Sequence, residues 1–327
     1  MSAEHERSDV RRRTALRGTG VEVACPVCQA RLIRREPSGA LACEVCSVEY
    51  PQRAKVDVLL TEAEWRVAAE HITAERDMNE RYSRARRESP LNMLYYDNWV
   101  AGMLSEVPPG NRGPLLELMC GEAEVCRRLP PWVASAMALD LNFEMVERAA
   151  DDLAAAGEHR VTVVCGTASR LPVASGSIGI VVVQGGLHHA RPLLPQILAE
   201  ISRVLEPDGV LVGSEPANDA WLTRRVRRFQ YARSTMQGHD EDEDGFTRDE
   251  LHRALTSAGL RLDGYRQSGF IAYPLMGNTD LMPILARSRS QWLGRSLMAV
   301  DQLLARVPVV RGMGWMSIFT ASKRDRS

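Results

Sequence analysis

Long apolar runs are missing from this sequence: none approaches the ~20 residues that a bilayer-crossing helix needs. Its first residues, Met1 to Arg13, hold no apolar core of the kind a secretory leader carries. Neither charge is in surplus. The chain has 41 basic and 42 acidic residues, a formal net charge of -1, so no global field draws it to nucleic acid. Lysine is nearly absent, at Lys55 and Lys323 only, and the other basic residues are arginine. We read that as the codon bias of a GC-rich genome, not as chemistry. No internal repeat of roughly 20–50 residues recurs. What remains is ordinary globular composition: 327 residues, 45% apolar and 25% charged, a length that suggests about two domains. Seven cysteines without an export leader predict a reducing, cytoplasmic setting.

Organisation follows from the pattern changes along the chain. Residues 1–20 are polar and arginine-rich and predict a mobile arm. Residues 21–62 hold four of the seven cysteines, and residues 63–110 read as a helical connector that carries Trp65, Val67, Ala68 and Ile72 on one apolar side. From Gly113 short apolar runs alternate with amphipathic stretches. Strands are predicted at 115–119, 136–141, 161–165, 178–184 and 210–214, with helices over 142–156 and 193–205. That alternation means βαβ units and a parallel sheet. Thr247 and Glu250 have capping-box spacing, and the helix they open should stop near Gly259. A strand near 260–267, a largely helical stretch over 278–307 and a last strand near 315–321 complete the chain.

The cysteines are spaced as Cys25-x-x-Cys28 and Cys43-x-x-Cys46. Each turn aims two thiolates at one point, and two such turns close a tetrahedron around Zn2+. Four thiolates leave no position for water, so the expected role is structural. Cys120, Cys126 and Cys165 stand alone and are expected to be packing residues.

A second constellation lies at the first strand. Leu115 to Met119 runs into the turn Cys120-Gly121-Glu122-Ala123-Glu124 and then a predicted helix, and the next strand ends at Asp140. A strand, a tight turn and a helix start form a nucleotide site, and an acid at the second strand end can accept both ribose hydroxyls. The Gly-x-Gly-x-x-Gly spacing of a dinucleotide site is absent, which argues against NAD or FAD and for a nucleoside without phosphates.

These residues resemble the class I S-adenosylmethionine-dependent methyltransferases of type 11. Glu117 to Ala123 stands where that family has an acid followed by alternating glycines. Ala138-Leu139-Asp140-Leu141-Asn142 resembles its second strand, Gly166 to Pro172 its adenine-side turn, Val183 to His189 its fourth-strand exit, and Glu200 to Gly209 the helix and turn before strand five. The resemblance covers about residues 95–270. It implies an α/β fold: a seven-stranded Rossmann-like sheet whose last strand is antiparallel, over residues 111–327. It implies S-adenosylmethionine held by Glu117, Met119 and Gly121 of the loop, by Asp140 and Leu141, by Thr167 and Ala168, by Gln184, and by Tyr96 in an aromatic segment. Three departures stand out. Met119 and Ala123 replace loop glycines, Thr167 replaces an aspartate, and Gly179 replaces another. Residues 21–62 resemble the zinc ribbons fused to, or partnered with, such enzymes.

Methyl transfer from a sulfonium needs alignment and dryness more than a base, unless the methyl acceptor is itself protonated. His188 and His189 stand where the fourth strand should open toward that acceptor. Either could take a hydroxyl proton, or the pair could merely shape the loop. A small molecule is the expected acceptor, such as a secondary metabolite, on oxygen before nitrogen or carbon. An RNA base is the first alternative, drawn by the arginines at 224–233, and a non-catalytic cofactor-binding relic is the second. Segments 216–245 and 271–313 are expected to cap the acceptor site. The apolar residues of the latter, among them Met276, Leu281, Met282, Leu285, Leu293, Met298 and Leu303, suit an apolar ligand, plain helix packing or a homodimer surface.

Overall fold

A computed structural model describes residues 20–111, 113–231, 245–278 and 288–324. The expected arm, the acidic run Asp240 to Asp244, and Leu281, Met282 and Leu285 of the second capping segment lie outside those residues. The chain divides into two compact units. The first takes Met1–Glu70, Asn111–Val181 and Arg203–Gly209, and the second takes His71–Gly110, Val182–Ser202 and Val210–Ser327.

In the first unit, β1 (Leu32–Arg34), β2 (Leu41–Cys43) and β3 (Glu49–Tyr50) form a small antiparallel sheet, registered Leu32 to Cys43 and Leu41 to Tyr50. A second hairpin, β4 (Gln52–Arg53) with β5 (Val56–Val58), carries the ribbon into a larger sheet, because β5 lies parallel to β8 (Val161–Cys165). That strand buries Val56 and Val58 and also Asp57. A buried carboxylate needs a partner. Arg34 supplies one bidentately, at 3.0 and 2.7 Å, and so ties the small hairpin to the sheet. The parallel core continues as β8, β7 (Ala136–Asp140) and β6 (Leu115–Leu118). All of β6 and nearly all of β7 are buried, as expected of strands covered on both faces. Helix α3 (Phe143–Ala155; α1 and α2 are Glu62–Glu88 and Pro90–Leu104) starts where the Asn142 side chain accepts the Met145 amide at 3.2 Å. It buries Val146, Ala149 and Leu153, one face at spacings of three and four. Each Val or Leu so buried contributes about 1.5–3 kcal/mol.

Strands β9 (Ile178–Gln184) and β10 (Leu205–Pro216), with α4 (Leu194–Val204) between them, run from one unit into the other. In the second unit β12 (Met316–Lys323) is antiparallel both to β10 and to β11 (Leu260–Ser268). Helix α6 (Arg248–Ser257; α5 is Trp221–Tyr231) opens with the complete capping box of Thr247 and Glu250. Helix α7 is Gln291–Leu304. The result is a mixed α/β, Rossmann-like sheet with an antiparallel last strand, preceded by a small cysteine-bearing sheet. Among the described residues no helix is long and apolar enough to cross a membrane.

One element differs from expectation. The helix predicted after the Cys120–Glu124 turn is only a 3-10 turn, Cys126–Arg128. Pro130 and Pro131 follow at once. A proline has no amide to donate and disfavours helical backbone in the residue before it, so the helix cannot propagate. The glycine that replaces an aspartate at 179 also has a cause. A Cβ there would stand 2.6 Å from the Gly113 Cα and 2.7 Å from the Asn111 side-chain oxygen, so two backbones meet where no side chain fits.

Candidate active site and cysteine cluster

The two Cys-x-x-Cys turns of the first unit share one backbone. Cys25 N–H donates to the Ala30 carbonyl at 2.8 Å, and Cys43 N–H to that of Val48 at 2.9 Å. The residue after each second cysteine, Gln29 or Ser47, is left-handed, with φ of 60° and 57°. All four sulfurs consequently lie within 4.8 Å of one another, with Cys25 to Cys46 at 3.6 Å and Cys28 to Cys43 at 3.4 Å. Tetrahedral metal–sulfur bonds of about 2.3 Å imply sulfur–sulfur edges of about 3.8 Å. The cluster therefore fits a closed four-thiolate zinc site. The Tyr50 hydroxyl stands 3.2 Å from the Cys25 sulfur, and burial and that sulfur together hold it in its protonated, donating form. Burial and the neighbouring thiols push Cys46 up to about 12. Thiols this close resist ionising together, and a divalent cation among them removes that resistance.

The loop after β6 keeps glycine's backbone without its glycines. Met119, Gly121 and Ala123 are all left-handed, with φ of 53°, 53° and 59°. Such a conformation costs an L-residue roughly 1–2 kcal/mol. Two carboxylates hold the loop in place. Glu117, fully buried, accepts the amides of Val125 at 3.0 Å and Cys126 at 2.7 Å. Asp140 accepts the Gly121 amide at 2.8 Å with one oxygen and the Asn142 amide at 2.8 Å with the other. The Ala123 amide donates to the Cys120 carbonyl at 2.8 Å. The amides of Gly121, Ala123, Val125 and Cys126 are thus already committed within the loop. A pyrophosphate, which needs such amides, would not find them, whereas a ligand that presents hydroxyls or a cation meets a carboxylate. Burial raises the Glu117 carboxyl to about 7 against the pull of its two amides. Glu122 and Glu124 turn inward and pair with Arg148 at 2.9 Å and Arg128 at 2.6 Å. On the neighbouring strand ends, the Leu141 carbonyl accepts from the Cys165 thiol at 3.6 Å. The Thr167 hydroxyl accepts the Ser169 amide at 3.3 Å, and Ala168 is buried.

The second unit builds the turn after β9. Gln184 ends the strand with its Oε1 buried and without a hydrogen-bond partner among the described residues. Gly185 is left-handed, with φ of 63°, and donates to the Ser214 carbonyl at 2.7 Å. Glu215, at 0% exposure near the end of β10, receives the turn. Its Oε1 accepts the amides of Gly186 at 3.0 Å and Leu187 at 2.8 Å. Its Oε2 faces the His188 Nδ1 at 2.7 Å and the His188 amide at 3.4 Å. The His188 side chain is 12% exposed. His189 is exposed, with its ring centroid 3.9 Å from that of His188. Tyr96, on α2, lies edge-on to Tyr95, with the Arg86 guanidinium 5.2 Å from its ring centroid. Tyr95 itself is core, stacked on Trp99 at 5.5 Å.

The predicted cofactor and base residues therefore fall into three groups. Glu117, Met119, Gly121 and Asp140 share one loop, with Leu141, Thr167 and Ala168 on the adjoining strand ends. Gln184, His188 and His189 share one turn, and Tyr96 stands in its own aromatic cluster. Glu215 is the residue that sequence reasoning missed. Its signal was an acid just after the buried apolar run Val210–Ser214, where a charge needs a reason.

Residues 116–213 match the family described as a methyltransferase domain. An uncharacterized chloroplastic methyltransferase of Arabidopsis thaliana is 26% identical over 289 residues, 76% of each chain. Two solved structures share the fold. One is a putative sarcosine dimethylglycine methyltransferase from Galdieria sulphuraria, at TM-score 0.50 and 17% identity, covering 71% of this chain and 86% of that one. The other is the complex between the Haloferax volcanii Trm112 methyltransferase activator and the putative methyltransferase, at TM-score 0.51 and 16% identity, covering 77% and 97%.

Proposed function

We propose that this chain, whose residues 116–213 match a methyltransferase domain, is a class I S-adenosylmethionine-dependent methyltransferase that methylates a hydroxyl of a small molecule, such as a secondary metabolite. The observation that supports the cofactor's place is the loop that spends its amides on Glu117 and Asp140. Such a loop suits a cationic, phosphate-free nucleoside. In this reading Asp140 accepts the ribose hydroxyls, Glu117, Met119 and Gly121 form the wall beside it, and Leu141, Thr167 and Ala168 border the adenine. Gln184 and Tyr96 are the further cofactor candidates that the family resemblance implies. Bound there, S-adenosylmethionine supplies an electrophilic methyl on a good leaving group. The protein's own work is to align the methyl acceptor, exclude water and take a proton, and His188 or His189 is the group for the last task.

Calorimetry of S-adenosylmethionine binding tests this. Asp140→Ala should weaken it by about 1.5–3 kcal/mol, the scale of a charge-assisted hydrogen bond. Unchanged affinity would remove Asp140 from the site. RNA that copurifies, and whose binding falls steeply with salt, would instead favour an RNA acceptor.

We assign the cysteine cluster to one structural zinc ion held by Cys25, Cys28, Cys43 and Cys46. Metal analysis should find about one zinc per chain, lost in Cys43→Ser together with the fold of the ribbon, because a closed thiolate site contributes folding energy directly. Freshly purified protein without zinc would refute this.

A further inference from the structure

We propose that the outward face of α7, with the turns that follow it, docks on a membrane surface that bears anionic lipids. Over the whole chain the charges nearly cancel, at a formal -1. Residues 288–313 depart from that balance. They hold Arg289, Arg295, Arg306 and Arg311 against a single acid, Asp301. Asp301 is buried and accepts the Ile271 amide at 2.6 Å and the Ala272 amide at 3.1 Å, so its charge is turned inward. The four arginines are all exposed. Arg295 donates to the Gln291 side chain at 3.4 Å, and among the described residues no carboxylate lies within ion-pair distance of any of the four.

The helix between them has two apolar faces. On the inward one, Gly294 lies so close to α2 that a Cβ there would stand 2.7 Å from Leu94 and 3.0 Å from Leu91. On the opposite one, Trp292, Ser296, Ala299 and Leu303 follow at spacings of four, three and four. Trp292 is 77% exposed, and Leu303 is exposed as well. The apolar stripe continues past the helix. There the Val310 amide donates to the Val307 carbonyl at 3.0 Å and the Met313 amide to the Val310 carbonyl at 2.8 Å, and Val307 and Val309 stand exposed on these turns, Val309 at 78%. Helix α5 joins the same edge, because the Thr223 hydroxyl donates to the Met313 carbonyl at 3.0 Å. Its Trp221 and Arg225, one turn apart, are exposed, and α5 contains no acid. The acid of α2, Asp97, is exposed too, one carboxylate against five arginines.

Charge distinguishes the partners that could cover such a surface. A second copy placed on it by a two-fold axis would set arginine against arginine. RNA would take the arginines but offers nothing to Leu303, Val307 and Val309. An anionic bilayer surface satisfies both kinds of side chain. The aliphatic groups and the indole enter the acyl boundary, and the guanidinium groups reach back on their long stems to the lipid phosphates. Helix α7 lies in that plane and does not cross it, since its 14 residues extend only about 21 Å. Each arginine at such a surface is worth about a fivefold gain in binding.

Sedimentation of the full chain with vesicles tests this, using phosphatidylcholine alone and phosphatidylcholine mixed with phosphatidylglycerol. The mixed vesicles should bind the protein at least about tenfold more tightly, and added salt should weaken that binding. Arg306→Glu with Arg311→Glu should lower it by about 25-fold or more, at about fivefold for each charge lost. Trp292→Ser with Leu303→Ser should lower it by about tenfold and leave its salt dependence in place. All four side chains are exposed, so both double variants should melt with wild type. Wild type that binds neither vesicle, or binds both equally, overturns the proposal even if a variant misfolds. So does unchanged binding in both folded double variants, which would place the contact elsewhere. A dimer dissolved by the Trp292 and Leu303 changes, or RNA bound in place of vesicles and released by the Arg306 and Arg311 changes, would also overturn it. The readout needs neither cofactor nor methyl acceptor, so it stands apart from the methylation reading.

Discussion

Two buried glutamates, one in each unit, close a turn by accepting consecutive backbone amides, and they differ in what is left over. Glu117 gives one oxygen to Val125 and the other to Cys126. Glu215 serves Gly186 and Leu187 from a single oxygen and turns the second to His188. The first is scaffold for the loop after β6. The second makes the backbone of the histidine turn and the orientation of a side chain one event. The two turns also differ in how they reach left-handed backbone. The histidine turn uses Gly185, whereas the loop after β6 forces Met119 and Ala123 into it beside Gly121. Strain is tolerated where a buried carboxylate network over-determines the loop.

The comparison breaks most readily at Glu117. Glu117→Ala strips two buried amides of their acceptors, at about 1–3 kcal/mol each, so urea unfolding should reveal a loss of about 2–6 kcal/mol. Glu215→Gln keeps the oxygen that serves the turn and should cost much less. Equal losses in the two variants would end the distinction between the two glutamates.

The pH dependence of stability sharpens the same point. Glu117 is held at about 7 in the folded chain, mainly by burial, against an ordinary 4.5. The folded state therefore keeps a proton that the unfolded chain has released. Its stabilising contribution is complete below about 4.5 and is lost as pH rises through about 7. Compared with Glu117→Gln, wild type should lose about 3 kcal/mol between pH 4 and pH 8, at about 1.4 kcal/mol for each tenfold difference in proton affinity between the folded and unfolded chain. Parallel curves for the two proteins would show that Glu117 is already ionised in the fold.

The smallest effects concern the left-handed positions. A Cβ at Gly185 would meet nothing within 4 Å, so Gly185→Ala tests conformation alone and should destabilise by about 1 kcal/mol. Met119→Gly should stabilise by up to about 1 kcal/mol, since it relieves the same conformation at a half-buried side chain. A destabilised Met119→Gly would mean that the methionine packs more than it strains.

Much of this was legible in the residues. The cysteine pairs announced their cluster, and the capping box at Thr247 and Glu250 formed as its spacing predicts. The strands at 161–165 and 178–184 fall where their apolar runs place them. Met119 and Ala123 looked like departures from a glycine loop, yet their backbone is a glycine loop's, because the conformation is held by Glu117 and Asp140 from outside the turn. The helix expected after that turn is overruled by Pro130 and Pro131, a local signal stronger than the pattern of strand, turn and helix around it.

What the chain determines by itself is whatever a few neighbouring residues can settle: a knuckle, a cap, the period of a strand. Those depend on bond geometry and on contacts at spacings of two to five residues. The tertiary structure alone decided which acid meets which histidine. Glu215 and His188 are 27 positions apart, and nothing in either stretch names the other. They meet because the end of β10 and the turn after β9 place a buried carboxylate 2.7 Å from an imidazole nitrogen. A charge taken out of water must find its donors wherever the strands put them.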